Sequence, residues 1–215
     1  MGSLPLALVE ESVASSRYPI PAQTTRVETT VVNSRFIATI GEARSVGDAR
    51  AFVEAVRWEF HDATHNVYAF RAGYGASVTE GMSDDGEPPG TAGRPALAVL
   101  RGADLGDVVL VITRYFGGTK LGTGGLVRAY TEAAQAALAA LPVAQRIERQ
   151  QGLIAVPYPL YEPVRLLVES HGGKIEAEDF SGDVTLTVLF AVDACADFEA
   201  ALAGLSAGRI QVVWL

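Results

Sequence analysis

One cysteine in 215 residues, Cys195, leaves no partner for an internal disulfide and no set of thiolates for a zinc cluster. Between Ala194 and Ala196 it reads as a small buried side chain and not as a nucleophile. No apolar run approaches the roughly 20 residues of a membrane span, and Glu10 and Glu11 stand where a secretory leader would carry its apolar core. The opening MGSLPL places Leu6 where myristoylation uses Ser or Thr. A cytoplasmic protein without membrane contact is expected.

Positive charge is scarce as well. Against 25 Asp+Glu there are 17 Lys+Arg, a formal net charge of -8, which excludes a broadly basic surface for polyanions. Residues 1–145 hold 12 basic and 15 acidic residues, and residues 146–215 hold 5 and 10. Any anion site is therefore local and better sought in the first part, while the acidic second part suits a protein partner. Histidine occurs three times, at His61, His65 and His171, with neither an H-E-x-x-H pair nor a serine nucleophile elbow. No catalytic residue, metal ligand or cofactor is assigned.

What is present is apolar material for packed cores, 49% of 22.7 kDa, in one or two domains. Residues 1–25 mix Ser, Pro and Thr without a period and read as a flexible or extended tail, with Pro19 and Pro21 in it. Val27–Val32 and Phe36–Ile40 read as two strands joined at Asn33-Ser34. Ser45 and Asp48 form a capping pair for a helix carrying Val46, Ala49, Val53, Val56 and Phe60 on one face and ending near His61-Asp62. Val67–Ala72 returns to strand composition, residues 81–95 are loop, Ala96–Leu100 suggests a short helix, and Asp107–Thr113 a buried strand. A long helix then carries Leu126, Tyr130, Ala133, Ala137 and Leu141 on one face and stops at Pro142.

From about Gln150 the order becomes strand 152–156, helix 160–170, strands 174–180 and 184–191, helix 196–205 and strand 209–214. That β-α-β-β-α-β string is the ferredoxin-like pattern. The expected organisation is an α+β protein with a first domain over 26–145 and a ferredoxin-like second domain over 146–215.

Two stretches invite chemistry. RYFGGTKLGTGG, Arg114–Gly125, followed by Arg128, sets glycines among cations at a strand-to-helix junction. It fails as a Walker A loop, because Lys120 lies inside the loop and Thr123-Gly124 follows Gly122. The spacing of Gly122, Gly124 and Val127 also breaks the dinucleotide fingerprint. Two readings remain. In one, Gly117, Gly118, Gly122, Gly124 and Gly125 expose backbone N–H groups at a helix N-terminus to phosphate, assisted by Arg114, Lys120 and Arg128. Three such cations would give a log-log salt slope of about -2 to -3. In the other, the glycines serve φ > 0 and close packing, and the cations are solvated. Tyr115, Phe116 and Tyr130 could stack on unpaired bases or pack in a core.

The second stretch is SDDGEPPGTAG from Ser83. Asp84, Asp85 and Glu87 could gather a hard cation, but their spacing matches no EF-hand loop. Acids beside Gly and Pro also bond loop N–H groups or pair with Arg94 or Arg114. His65 could complete a polar site with them or act as a hydrogen-bond strut.

Taken together, SRF at Ser34–Phe36, His65 before its strand, SDDGEPPGTAG at 83–93 and RYFGGTKLGTGGLVRAY at 114–130 resemble the YigZ/IMPACT family, in the form lacking the RWD domain of eukaryotic members. The resemblance implies a first domain like domain IV of elongation factor G and a ferredoxin-like second domain. It also implies a link to translation control, with RNA or the ribosome as the suspected partner and no established reaction. The expected function is non-enzymatic binding of RNA or ribosomal phosphate through residues 114–128. The alternatives are a metal-dependent hydrolase or phosphate-transferring enzyme using His65 and the acidic loop, and a protein-interaction scaffold.

Overall fold

A computed structural model describes residues 17–215. The described chain divides into two compact units, Tyr18–Arg146 and Ile147–Leu215.

In the first unit, β1 (Arg17–Pro21) pairs with β7 (Val143–Ile147) in a two-stranded ribbon. Residues 17–21 are thus strand and not tail, and both prolines lie within that strand; the rest of the expected tail up to residue 16 lies outside the described residues. Pro is compatible with strand where the ladder does not need its missing N–H.

The main sheet has five antiparallel strands in the order β2 (Thr25–Val31), β3 (Ser34–Glu42), β6 (Val108–Tyr115), β4 (His65–Ala72), β5 (Thr79–Ser83). β6 is central and covered on both faces, which is why VVLVIT is continuously apolar instead of alternating. α1 (Val46–Glu59) packs on one face, with Ala49, Val53 and Val56 meeting Val109 and Val111. Ser45 caps it by accepting the Asp48 N–H at 3.1 Å, as its spacing suggested.

α2 (Gly93–Gly102) and α3 (Gly122–Ala140) cover the other face, packed on Phe36, Ala38, Ile40, Val67, Leu110 and Ile112. Ala129, Ala133, Ala134 and Ala137 are fully buried along α3, so small side chains bring this helix close to the sheet. α2 extends beyond the short helix expected at 96–100, β5 reaches into the stretch 81–95 expected as loop, and β7 lies at the domain boundary, where no element was expected. Both are short strands at sheet edges, with too few residues to show a period.

The second unit follows its pattern. β8 (Arg149–Val156), α4 (Tyr161–Ser170), β9 (Lys174–Phe180), β10 (Val184–Ala191), α5 (Cys195–Ser206) and β11 (Val212–Trp214) form a sheet ordered β11-β8-β10-β9. Ile154, Val156, Leu186, Val188 and Phe190 meet Val164, Val168, Phe198 and Leu202 in its core. Cys195 belongs to that core, and burial pushes its thiol up. No helix among the described residues is long and apolar enough to cross a membrane.

Candidate functional site

The acidic loop between β5 and α2 is organised from within. Asp84 accepts the N–H groups of Gly90 at 2.7 Å, Gly93 at 2.8 Å and Ala92 at 3.1 Å. Burial alone would raise its carboxyl, but these three donors, with Arg94 nearby, outweigh it and hold the group below the usual carboxylate range. Two of the donors open α2, so Asp84 supplies the capping that Ala92 at the helix start lacks.

Asp85 adopts φ 45° and accepts the Asn66 N–H at 2.6 Å and Arg57 Nη2 at 2.8 Å. Ser83 Oγ accepts the Asp85 N–H at 3.1 Å. The carbonyl of Asp85 lies 2.8 Å from His65 Nδ1, which is therefore the protonated nitrogen, since a carbonyl only accepts.

Glu87 goes inward. Its Oε1 accepts Arg114 Nη1 at 2.6 Å and the Tyr130 hydroxyl at 2.7 Å, while Oε2 lies 3.8 Å from His65 Nε2. The Arg114 and Glu87 side chains are 5% and 3% exposed, an ion pair inside the fold. Arg114 Nη2 also donates to Ser34 Oγ at 3.3 Å, its guanidinium carbon sits 5.5 Å from the ring centres of Phe36 and Phe116, and its buried Nε has no hydrogen-bond partner among the described residues. Burial and then the Glu87 charge push the Tyr130 phenol upward, so it remains a hydrogen-bond donor.

These contacts correct one expectation and decide another. Arg114, counted among phosphate-binding cations, is committed to Glu87 in the interior; of the two readings open for Tyr130, stacking on bases or packing in a core, it takes the core. Nor do the acids converge on a cation: among the described residues no three His, Cys, Asp or Glu side chains are placed to hold a metal ion. His65 and the loop do reach the glycine stretch, but through buried bonds, because the Ser34 hydroxyl that meets Arg114 also accepts the Gly117 N–H at 3.3 Å. Ser34 entered the sequence reading only as the first residue of the SRF motif and of the strand connection, and not as a site residue. A serine opening a strand beside a tight turn carries no signal of its own for a buried contact.

The glycines divide by what they face. A Cβ on Gly117 would overlap the Asn33 carbonyl, so this residue lets the chain cross the β2–β3 turn, where Val32 holds a left-handed φ of 55° despite its β-branch. Gly118 and Gly122 have φ of 83° and 70°. Gly125 lies against Leu121, with its would-be Cβ 3.1 Å from Leu121 Cβ. Gly124 alone is required by neither backbone angle nor crowding: nothing lies within 4 Å of where its Cβ would be. It sits in the first turn of α3, where Leu121 provides no side-chain cap and no acid occupies the first turn.

Lys120 and Arg128 are exposed beside this turn, and neither forms an ion pair among the described residues. Phe116 is 45% exposed. Tyr115 is engaged, its hydroxyl donating to Asp62 at 2.7 Å and its ring 4.6 Å beneath the Arg35 guanidinium. The stretch 116–128 offers an uncapped helix start, one exposed aromatic side chain and two exposed cations without an ion pair among the described residues.

Residues 32–138 match the Impact N-terminal domain, and residues 154–209 match a domain of unknown function, DUF1949. The chain is 38% identical to the IMPACT family member YigZ of Escherichia coli (strain K12), covering 90% of this chain and 96% of the relative. It is 34% identical to an IMPACT family member of Haemophilus influenzae, covering 92% and 96%. A solved structure described as that of a hypothetical protein superposes with a TM-score of 0.67 at 38% identity, covering 92% of this chain and 96% of the other. These matches span both units of the described fold, and the chain belongs to the IMPACT family.

Proposed function

We propose that this protein acts in the cytoplasm in translation control or RNA metabolism as a non-enzymatic binder of RNA or ribosomal phosphate, held at the N-terminus of α3. The reading rests on Gly124, whose missing side chain leaves the first-turn N–H groups open although the fold itself does not ask for glycine there. Those donors carry the positive end of the helix dipole. Lys120 and Arg128 add charge that is not spent on internal partners, and Phe116 offers an adjacent face for an unpaired base. Arg114 takes no direct part; it braces Phe116 and the Ser34–Gly117 contact from below.

The test is fluorescence anisotropy of labelled single-stranded RNA, and co-sedimentation with ribosomal subunits, at low salt. Lys120→Glu combined with Arg128→Glu is expected to lower affinity at least tenfold without changing the melting temperature by more than a degree or two. Retention of full affinity by the double variant, or no retention of RNA or subunits by the unaltered protein at low salt, removes this assignment.

A further inference from the structure

The face of the first unit formed by α2 and α3 leaves an open groove of about 710 Å³ between the two helices. Its walls are apolar: Pro95, Ala98 and Val99 on α2 face Val127 and Leu138 on α3. Val127 is 40% exposed, and Ala98 is exposed as well. Apolar side chains left to water along a helix-lined trough mark an interaction surface. Arg94, Thr131 and Gln135 are the polar side chains on its lining, and the Thr131 hydroxyl is spent on the Val127 carbonyl at 2.7 Å, which leaves too few polar groups to orient a small ligand. The trough does not form a nucleic-acid surface, because no aromatic face lines it.

The groove also has a direction. β5 and β6 both run antiparallel to β4 and hence point the same way. α2 leaves the end of β5 and α3 the end of β6, and both fold back on the same face of the sheet, so the two helices run parallel. The Tyr130–Glu87 bond ties the first half of α3 to the loop that leads into α2, which places both N-termini at one end of the groove. The positive end of α3, which no acid caps, lies there, while that of α2 is met by the Asp84 carboxylate. Arg94 lines that same end, exposed and without an ion pair among the described residues, its charge acting on Asp84 without direct contact. The opposite end, at Ala103 and Leu138, carries no such charge.

We infer that this groove is a docking site for an amphipathic helix of a protein partner, whose apolar stripe fills the trough and whose acidic C-terminal turn meets Arg94. A helix laid antiparallel to α2 and α3 sets its negative end against Arg94 and the uncapped N-terminus of α3. The small residues on α2 let its backbone come close. That end is shared with the proposed phosphate-binding turn but the trough is not, so Ala98→Trp separates the two readings: it removes helix binding and leaves RNA affinity unchanged.

The test uses the full chain and two fluorescein-labelled synthetic 16-residue helices with leucines at i, i+4, i+7 and i+11. One ends in two glutamates and the other in two lysines. Anisotropy is expected to show at least tenfold tighter binding of the acidic-ended helix, and Arg94→Glu to reverse that preference. Ala98→Trp, a substitution at an exposed position that fills the trough, is expected to abolish both. Backbone amide shifts on titration are expected along α2 and α3.

Failure of both helices to bind at millimolar concentration, equal affinity for the two, or indifference to Ala98→Trp overturns the proposal. Two further outcomes replace it with a different occupant. Concentration-dependent self-association that Ala98→Trp removes would identify a second copy, and loss of single-stranded RNA affinity in Ala98→Trp would identify nucleic acid.

Discussion

Glu87 is held in the interior by Arg114 and Tyr130, which address one of its oxygens, while His65 faces the other. Removing one member of a buried ion pair strands the other, so Glu87→Ala is expected to cost about 3–5 kcal/mol in urea unfolding. Adding Arg114→Met should recover part of that loss, since an apolar pair needs no compensation. Tyr130→Phe removes one hydrogen bond to a charged acceptor and is expected to cost about 1.5–3 kcal/mol.

Asp84 yields a pH prediction. Its folded carboxyl lies below the ordinary value of about 3.9, so its contribution is fully present above that value and is lost as pH falls through the lower, folded one. The stability deficit of Asp84→Asn relative to the unaltered protein should therefore be constant from about pH 5 to 7 and shrink below about pH 4. A deficit that persists unchanged to pH 2.5 would show that the backbone donors do not depend on the carboxylate charge.

At the scale of elements, the glycine-rich entry to α3 serves two purposes that substitution can separate. Gly117→Ala drives a methyl into the Asn33 carbonyl and should lower the melting temperature by several degrees. Gly124→Ala meets nothing and improves helix propensity, so it should stabilise by up to about 1 kcal/mol. If the first turn of α3 holds phosphate, the same alanine crowds the N–H donors, and RNA affinity should fall while stability rises. Rising stability with unchanged RNA affinity would place the phosphate contact elsewhere. The helices were legible because each buries one periodic face, and the central strand because it is a continuous apolar run buried on both faces. β5 and β7 were not, because strands of five residues at an edge owe their existence to the neighbour they pair with.

For the whole molecule, a net charge of -8 opposes any polyanion at long range, so binding must come from local contacts. With Arg114 withdrawn to the interior, two cations remain at the α3 turn instead of three. The expected log-log salt slope for RNA or DNA is then about -1.4 to -1.8, in place of the -2 to -3 that three contacts imply. Anisotropy titrations between 25 and 200 mM salt measure it, and a slope steeper than about -3 would require basic residues beyond Lys120 and Arg128.

The residue pattern determined the class of the fold, the ferredoxin-like order of the second unit, and membership of the family, because burial periodicity and motif spacing are local properties of a chain. It also brought Arg114, Lys120 and Arg128 to notice in one stretch and the acidic loop in another. Only the tertiary structure sorted them. Arg114 and Glu87 turn inward to each other across 27 positions, Asp84 spends its charge on backbone donors, and Lys120 and Arg128 stay in water. The reason is that a charged side chain's role depends on whether a partner lies within about 3 Å and whether water can reach it. Both conditions are decided by how distant segments pack. The same holds for Gly117 and Gly124, identical in sequence, of which one is filled by the protein's own Asn33 and the other is left open.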